Sequence, residues 1–438
     1  MKQSILSKDG VSYVVPFILI TSCFALWGFA NDITNPMVKA FSKIFRMSAT
    51  DGALVQVAFY GGYFAMAFPA AMFIRRYSYK AGVLVGLGLY ALGAFMFYPA
   101  KMTGEYYPFL IAYFILTCGL SFLETSSNPY ILSMGTEETA TRRLNLAQSF
   151  NPMGSLLGMY VAMNFIQAKL NPLDTASRAD LTPAEFEAVK EYDLSVLIGP
   201  YLAIGLVILA MFVLILFWRM PKNGDKNHNI DFVPTLRRIF AMPHYREGVI
   251  AQFFYVGVQI MCWTFIIQYG TRVLMADGMP EQAAEVTSQQ YNILAMIIFC
   301  CSRFICTFLL RYVNTGRLLT VLAIVGGLLV VGVIGLQNIY GLYCLVGVSA
   351  CMSLMFPTIY GIALTGLGDD AKFGAAGLIM AILGGSVLPP FQAAIIDQVE
   401  LLGMPAVNVS FILPFVCFVV IAIYGHRTFL RSKGQLGG

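Results

Sequence analysis

Long apolar runs separated by short polar stretches dominate the chain. Leu202 to Trp218 and Leu318 to Leu336 are two of them, each near the roughly 20 residues that carry a helix across about 30 Å of hydrocarbon. Ten-residue segments alternating at period two, the mark of a membrane barrel strand, do not occur, so the backbone must be satisfied helix by helix. The runs predict twelve spanning helices: 13–35, 52–74, 81–100, 107–132, 145–166 and 195–218, then 248–269, 286–310, 318–336, 339–364, 374–396 and 407–424. The polar loop 219–247 divides them into an N-terminal bundle, 1–218, and a C-terminal bundle, 248–438. Short basic turns follow the second span (Arg75 to Lys80) and the eighth (Arg311 to Arg317), and Pro129 and Pro357 fall in the fourth and tenth. The expected fold is an all-α polytopic membrane protein of two pseudo-symmetric six-helix bundles around a midplane site, an architecture used by secondary transporters.

Composition excludes a water-soluble alternative. The 438 residues are 58% hydrophobic and 12% charged, against about 25% charged in an ordinary soluble domain, and the mean hydropathy is +0.72. Positively charged loops are retained in the cytoplasm. With both termini inside, 19 of the 28 Lys and Arg residues fall on the cytoplasmic side, eight face outside, and Arg303 lies within a span. This predicts a bacterial-type inner-membrane protein with both termini cytoplasmic, and it accounts for the net charge of +5 without a nucleic-acid partner. The apolar stretch from Tyr13 lacks a small-residue cleavage site, so the first helix is expected to be retained. All nine cysteines fall within spans and read as small packing residues.

Charged residues inside a span cost about 2.5–3.5 kcal/mol each and by default mark a functional site. Asp32, Glu124 and Arg303 fall clearly within spans, with Asp397 at the end of one. Asn128 lies one turn from Glu124 on the same face, and Gln148 and Asn151, three apart, share a face of the next span. A carboxylate with several amides offers both donors and acceptors, which the hydroxyls of a neutral sugar require; alternatively the amides of Gln148 and Asn151 only tie helix to helix. Trp27, Asn31 and Asn35 follow at intervals of four, as do Gln259 and Trp263, with Gln252 seven residues before Gln259. Both indoles suit stacking on a pyranose or anchoring at the interface. Asp32 lies about 29 Å along the helix from Tyr13, as a coupling group or a solvated helix end. Arg303 lies about 12 Å inside the cytoplasmic end, where it either closes an inner gate or snorkels to the interface.

Enzymatic chemistry finds no support. His228, His244 and His426 fall in expected loops, no nucleophile–base pair or glycine-rich phosphate loop is present, and neither cofactor nor metal is implied. A non-transporting sugar sensor would usually carry a soluble signalling domain, for which a 29-residue loop leaves no room.

Several short motifs add a family reading: Leu26-Trp27-Gly28-Phe29-Ala30-Asn31, Tyr60-Gly61-Gly62-Tyr63-Phe64, Leu123-Glu124-Thr125 with Asn128-Pro129, and Arg143-Leu144-Asn145-Leu146-Ala147-Gln148-Ser149-Phe150-Asn151. Ala251-Gln252-Phe253-Phe254-Tyr255-Val256-Gly257, Cys262-Trp263, Arg303-Phe304 and Phe356-Pro357-Thr358-Ile359 continue it. Jointly they resemble the fucose-galactose-glucose:proton symporter branch of the major facilitator superfamily, and most closely its L-fucose permeases. The resemblance implies alternating-access import of a neutral sugar, L-fucose first and galactose, glucose or an N-acetylhexosamine as alternatives, in symport with protons. It implies that Glu124 contacts sugar and takes part in proton coupling, and that Gln148 and Asn151 contact sugar. A two-bundle transporter of this kind works as a monomer. Asn35 stands where those permeases carry an aspartate, and asparagine cannot titrate, so the proton falls to Glu124 or Asp32 or coupling differs from the family pattern. Phe356 replaces a tyrosine, keeping the ring and losing the hydroxyl.

Overall fold

The computed structural model describes residues 7–8, 11–34, 37–47, 54–173, 177–178, 180–221, 232–398, 400–401 and 403–434. Its helices in chain order are α1 (Val14–Thr34), α2 (Met37–Ile44), α3 (Leu54–Arg76), α4 (Tyr79–Phe95), α5 (Phe97–Thr103), α6 (Tyr107–Ser133), α7 (Ala140–Gln148), α8 (Asn151–Val161) and α9 (Pro183–Phe217). They continue with α10 (Phe232–Ala241), α11 (Pro243–Ala276), α12 (Glu281–Leu309), α13 (Thr315–Gly335), α14 (Ile339–Met352), α15 (Met355–Leu364), α16 (Ala371–Met380), α17 (Gly384–Ile396), α18 (Ala406–Ser410) and α19 (Ile412–Ser432). Two antiparallel pairs of two-residue strands, Ser7–Lys8 with Val11–Ser12 and Glu400–Leu401 with Met404–Pro405, are the strands among the described residues.

Eleven stretches of the described residues are long and apolar enough to cross a membrane, and each overlaps an expected span. The fifth expected span, 145–166, is delivered in pieces: α7, α8, a π-helical turn at Ala162–Ile166 and a 3₁₀ turn at Gln167–Lys169. Pro152 is one cause, because it brings no N–H to the ladder. The sixth span begins twelve residues before expected. Thr182 caps it reciprocally with Glu185, a capping box that starts a helix in polar sequence. Part of the central segment 219–247 is helical too, as α10, and His244 and His426 lie in α11 and α19 rather than in loops.

The chain divides into two compact units, one built on Leu6–Met134 and Phe150–Ile230, the other containing Gly135–Ser149 and Asp231–Gly438. In the first, small residues let backbones approach closely, as membrane helices require without a hydrophobic drive between them. A Cβ at Gly154 would collide with the carbonyl of Ala25, and one at Gly28 with the carbonyl of Asn151, so α8 lies directly on α1. Gly62 and Gly86 seat α3 and α4 against α6 in the same way. Polar ends are satisfied locally. Lys80 donates to the carbonyls of Leu216 and Trp218 at 2.9 Å, closing the C-terminus of α9, where a cation also suits the helix dipole. A fully buried Arg178–Asp193 pair at 2.6 Å ties the segment before α9 to that helix. In the second unit, Tyr255, Phe265, Tyr269, Phe299, Met355 and Phe418 form part of one apolar core.

Gly154→Val overpacks the α1–α8 contact and is expected to cost roughly 1–3 kcal/mol, read as a lower melting temperature of the purified protein. Gly199→Val, where a Cβ meets nothing within 4 Å, should leave melting unchanged; equal effects would refute the close approach.

Candidate functional site

Helix α6 is the most enclosed element of the first unit. Every residue from Leu116 to Ile131 is buried, among them Thr117, Ser121, Glu124, Thr125, Ser126, Ser127 and Asn128. Burying a polar group is costly unless it is partnered; Thr117, Ser121, Glu124, Ser126 and Asn128 find partners on α3 or on α6 itself, whereas the hydroxyls of Thr125 and Ser127 have no hydrogen-bond partner among the described residues. Glu124, 5% exposed, accepts a hydrogen bond from the Tyr63 hydroxyl at 2.9 Å. Ser121 Oγ donates to the Tyr63 carbonyl at 3.2 Å, and Gly62 lets α3 press close enough to set that tyrosine in place. Asn128 Nδ2 donates to the carbonyl of Glu124 at 3.0 Å, so this amide is partly spent on its own helix.

On α1, Trp27 is buried and its ring lies 4.1 Å from that of Phe24, tilted by 47°. Asn31 and Asp32 are half-buried. The Oδ1 of Asn31 is enclosed without a hydrogen-bond partner among the described residues, and Asp32 lies within electrostatic reach of Tyr60 on α3. Asn35 lies outside the described residues. Asn151, half-buried at the start of α8, donates from Nδ2 to the Phe24 carbonyl at 3.1 Å, so its nitrogen does join helix to helix.

Gln148 ends α7 and belongs to the second unit, while Asn151 opens α8 of the first. Beside Gln148 lies Arg303 of α12, which is 3% exposed. Arg303 donates from Nη1 to the Gln148 carbonyl at 3.0 Å and from Nε to the Ser353 carbonyl at 2.5 Å. Its guanidinium carbon lies 4.6 Å from the centre of the Phe299 ring. Phe299 meets Trp263 edge-on at 4.9 Å, and the indole Nε1 donates to Ser349 at 3.2 Å. Phe356 packs edge-on against Tyr255 at 6.1 Å and stacks on Tyr360 at 6.2 Å. Asn145 donates to Thr358 at 3.1 Å, tying α7 to α15. Gln259 is half-buried on α11. Gln252, about two turns before it, is fully buried with neither amide atom hydrogen-bonded among the described residues.

Two participants went unassigned from sequence. Tyr63 sits in a quoted motif, and the adjoining glycine pair is the signal that would have marked it. The carbonyl partners of Arg303 are backbone atoms, visible in sequence only through the prolines four residues beyond them.

The sequence profile of the Major Facilitator Superfamily matches residues 20–390. The chain belongs to the Major Facilitator Superfamily. It is a multi-pass membrane transporter, not an enzyme. Within the superfamily the chain is 52% identical over 99% of its length, and all of the relative's, to the L-fucose-proton symporter of Haemophilus influenzae. It is 30% identical over 93% of its length, and 92% of the relative's, to the glucose/galactose transporter of Brucella abortus. A crystal structure of a variant of the E. coli fucose:proton symporter FucP superposes with a TM-score of 0.86 at 31% identity, covering 95% of this chain and 99% of that one.

Tyr63→Phe deletes only the hydroxyl that Glu124 accepts from and should cost about 1 kcal/mol. Thermal unfolding is the check, and an unchanged melting temperature would show that this bond does not hold the carboxylate.

Proposed function

We propose that the chain imports L-fucose together with protons across the inner membrane, as a monomer, by alternating access. The observation that carries this reading is the enclosed Glu124 carboxylate under the Tyr63 hydroxyl, in a chain 52% identical to a protein named L-fucose-proton symporter. A carboxylate in dry surroundings is more easily protonated, and contact with water favours the charged form. A transporter that alternately dries and wets such a group moves a proton with its sugar. Glu124 is the proposed proton carrier, with Asp32 as the second carboxylate. The chain is read as six-span bundles 1–218 and 248–438 joined by cytoplasmic 219–247, with both termini inside on the Lys and Arg asymmetry.

The proposed sugar contacts are Trp27, Asn31, Asn35, Glu124, Asn128, Gln148, Asn151, Gln259, Trp263 and Phe356, and Arg303 is the proposed gating residue. Amides and the carboxylate would read hydroxyls, while Trp27, Trp263 and Phe356 would cover the apolar face of the ring. The Oδ1 of Asn31, without a hydrogen-bond partner among the described residues, is an acceptor suited to a sugar hydroxyl. Galactose or glucose is the second reading, supported by the 30% identity to the Brucella abortus glucose/galactose transporter.

Proteoliposomes with an imposed inward proton gradient test the proposal directly. Labelled L-fucose should accumulate, the accumulation should collapse with a protonophore, and unlabelled L-fucose should compete best. Stronger competition by galactose or glucose would replace the substrate, and purely equilibrative uptake would overturn proton coupling. Glu124→Gln is expected to abolish uphill accumulation while sugar counterflow persists; acidification on sugar addition that survives the substitution would remove Glu124 from the proton path.

A further inference from the structure

Two prolines and one arginine share an arithmetic that the proposed function does not use. In a helix the carbonyl of residue i is taken by the N–H of residue i+4, and proline has no N–H to give. Pro152 therefore leaves the Gln148 carbonyl without its ladder partner, and Pro357 does the same to Ser353. These are the two carbonyls to which Arg303 donates, at 3.0 and 2.5 Å. The α7/α8 interruption at Ser149–Phe150 and the α14/α15 interruption at Ser353–Leu354 thus share one guanidinium, which Phe299 backs at 4.6 Å. Only arginine presents a planar fork of donors able to serve two acceptors at once; lysine offers a compact ammonium on a flexible stem.

We infer that Arg303 is a positioning residue that ties two proline-interrupted spans together and thereby sets Gln148 and Phe356, which flank the ties, in fixed relation. This rests on the reading of those two residues as sugar contacts. Gln148 supplies one of the tied carbonyls itself, and Phe356 immediately precedes the proline that frees the other. The Asn145–Thr358 bond at 3.1 Å joins α7 to α15 independently, so the arginine acts on elements already in contact. Its own role is the orientation of the two interrupted turns.

A cycle of four full-length proteins tests the tie: the parent, Arg303→Lys, the pair Pro152→Ala with Pro357→Ala, and all three substitutions combined. Alanine restores both N–H groups, so the carbonyls no longer depend on Arg303. Arg303→Lys should lower the melting temperature in the parent and by less than half as much in the proline-free background; additive effects overturn the tie. If Arg303→Lys fails to accumulate in the parent, accumulation in the proline-free background is the expected coupling, and failure in both overturns it. Positioning is read separately by L-fucose counterflow: Arg303→Lys should raise KM about tenfold with kcat within twofold, and an unchanged KM overturns the positioning role. Should the parent neither bind nor transport L-fucose, the functional reading fails while the melting cycle still decides the tie.

Discussion

Hydrocarbon offers no hydrogen bonds, and each unsatisfied peptide group in it costs several kcal/mol. That constraint decides where this chain can bend. An unbroken helix satisfies itself, but a proline inside a span removes one donor, and the carbonyl it strands needs another from elsewhere in the protein. Arg303 supplies two such donors from one buried side chain. A charge is also costly in lipid, so a guanidinium at 3% exposure is sustained only because its donors meet carbonyls and its face meets Phe299. Cation and interrupted helices are each unfavourable alone, and each relieves the other.

The same logic governs α6. Its buried run from Leu116 to Ile131 carries a carboxylate, an amide and several hydroxyls, a composition that packing alone would not select, since apolar residues of equal volume fill such a position without desolvation cost. Serine and threonine can return their hydroxyls to carbonyls four residues earlier, as Thr117 and Ser126 do. A carboxylate has no such local escape and depends on Tyr63. Gly62 and Gly86 bring α3 and α4 against this helix, and the close approach of α3 is what carries the Tyr63 hydroxyl to the carboxylate.

The spans were legible in the sequence because twenty apolar residues leave little choice of structure. Where the sequence misled, a local rule competed with the apolar run. The capping box at Thr182 and Glu185 starts α9 in polar sequence that hydropathy assigns to a loop. Around Pro152 the apolar pattern continues while the helical ladder does not. Glu124 and Arg303 stood out by the rarity of charge in a span. Tyr63 did not, because a tyrosine in a membrane helix is ordinary until its hydroxyl is seen on a carboxylate. Asn128 and Asn151 were visible as inward amides, but sequence cannot say that each gives a nitrogen to a backbone carbonyl.

In the proposed cycle these arrangements meet at water. The carboxylate of Glu124 is enclosed and accepts from the Tyr63 hydroxyl, and the Gln148 and Ser353 carbonyls accept from the buried Arg303. Hydration acts on both in the same sense: it stabilises a charged carboxylate, and it offers the stranded carbonyls an alternative donor. In that cycle, a movement that admitted water to the membrane interior would release the proton and loosen the tie. Coupling of this kind requires no continuous wire of residues. It requires that two buried polar arrangements be stable when dry and replaceable when wet, which is the condition the prolines, the arginine and the enclosed glutamate each satisfy.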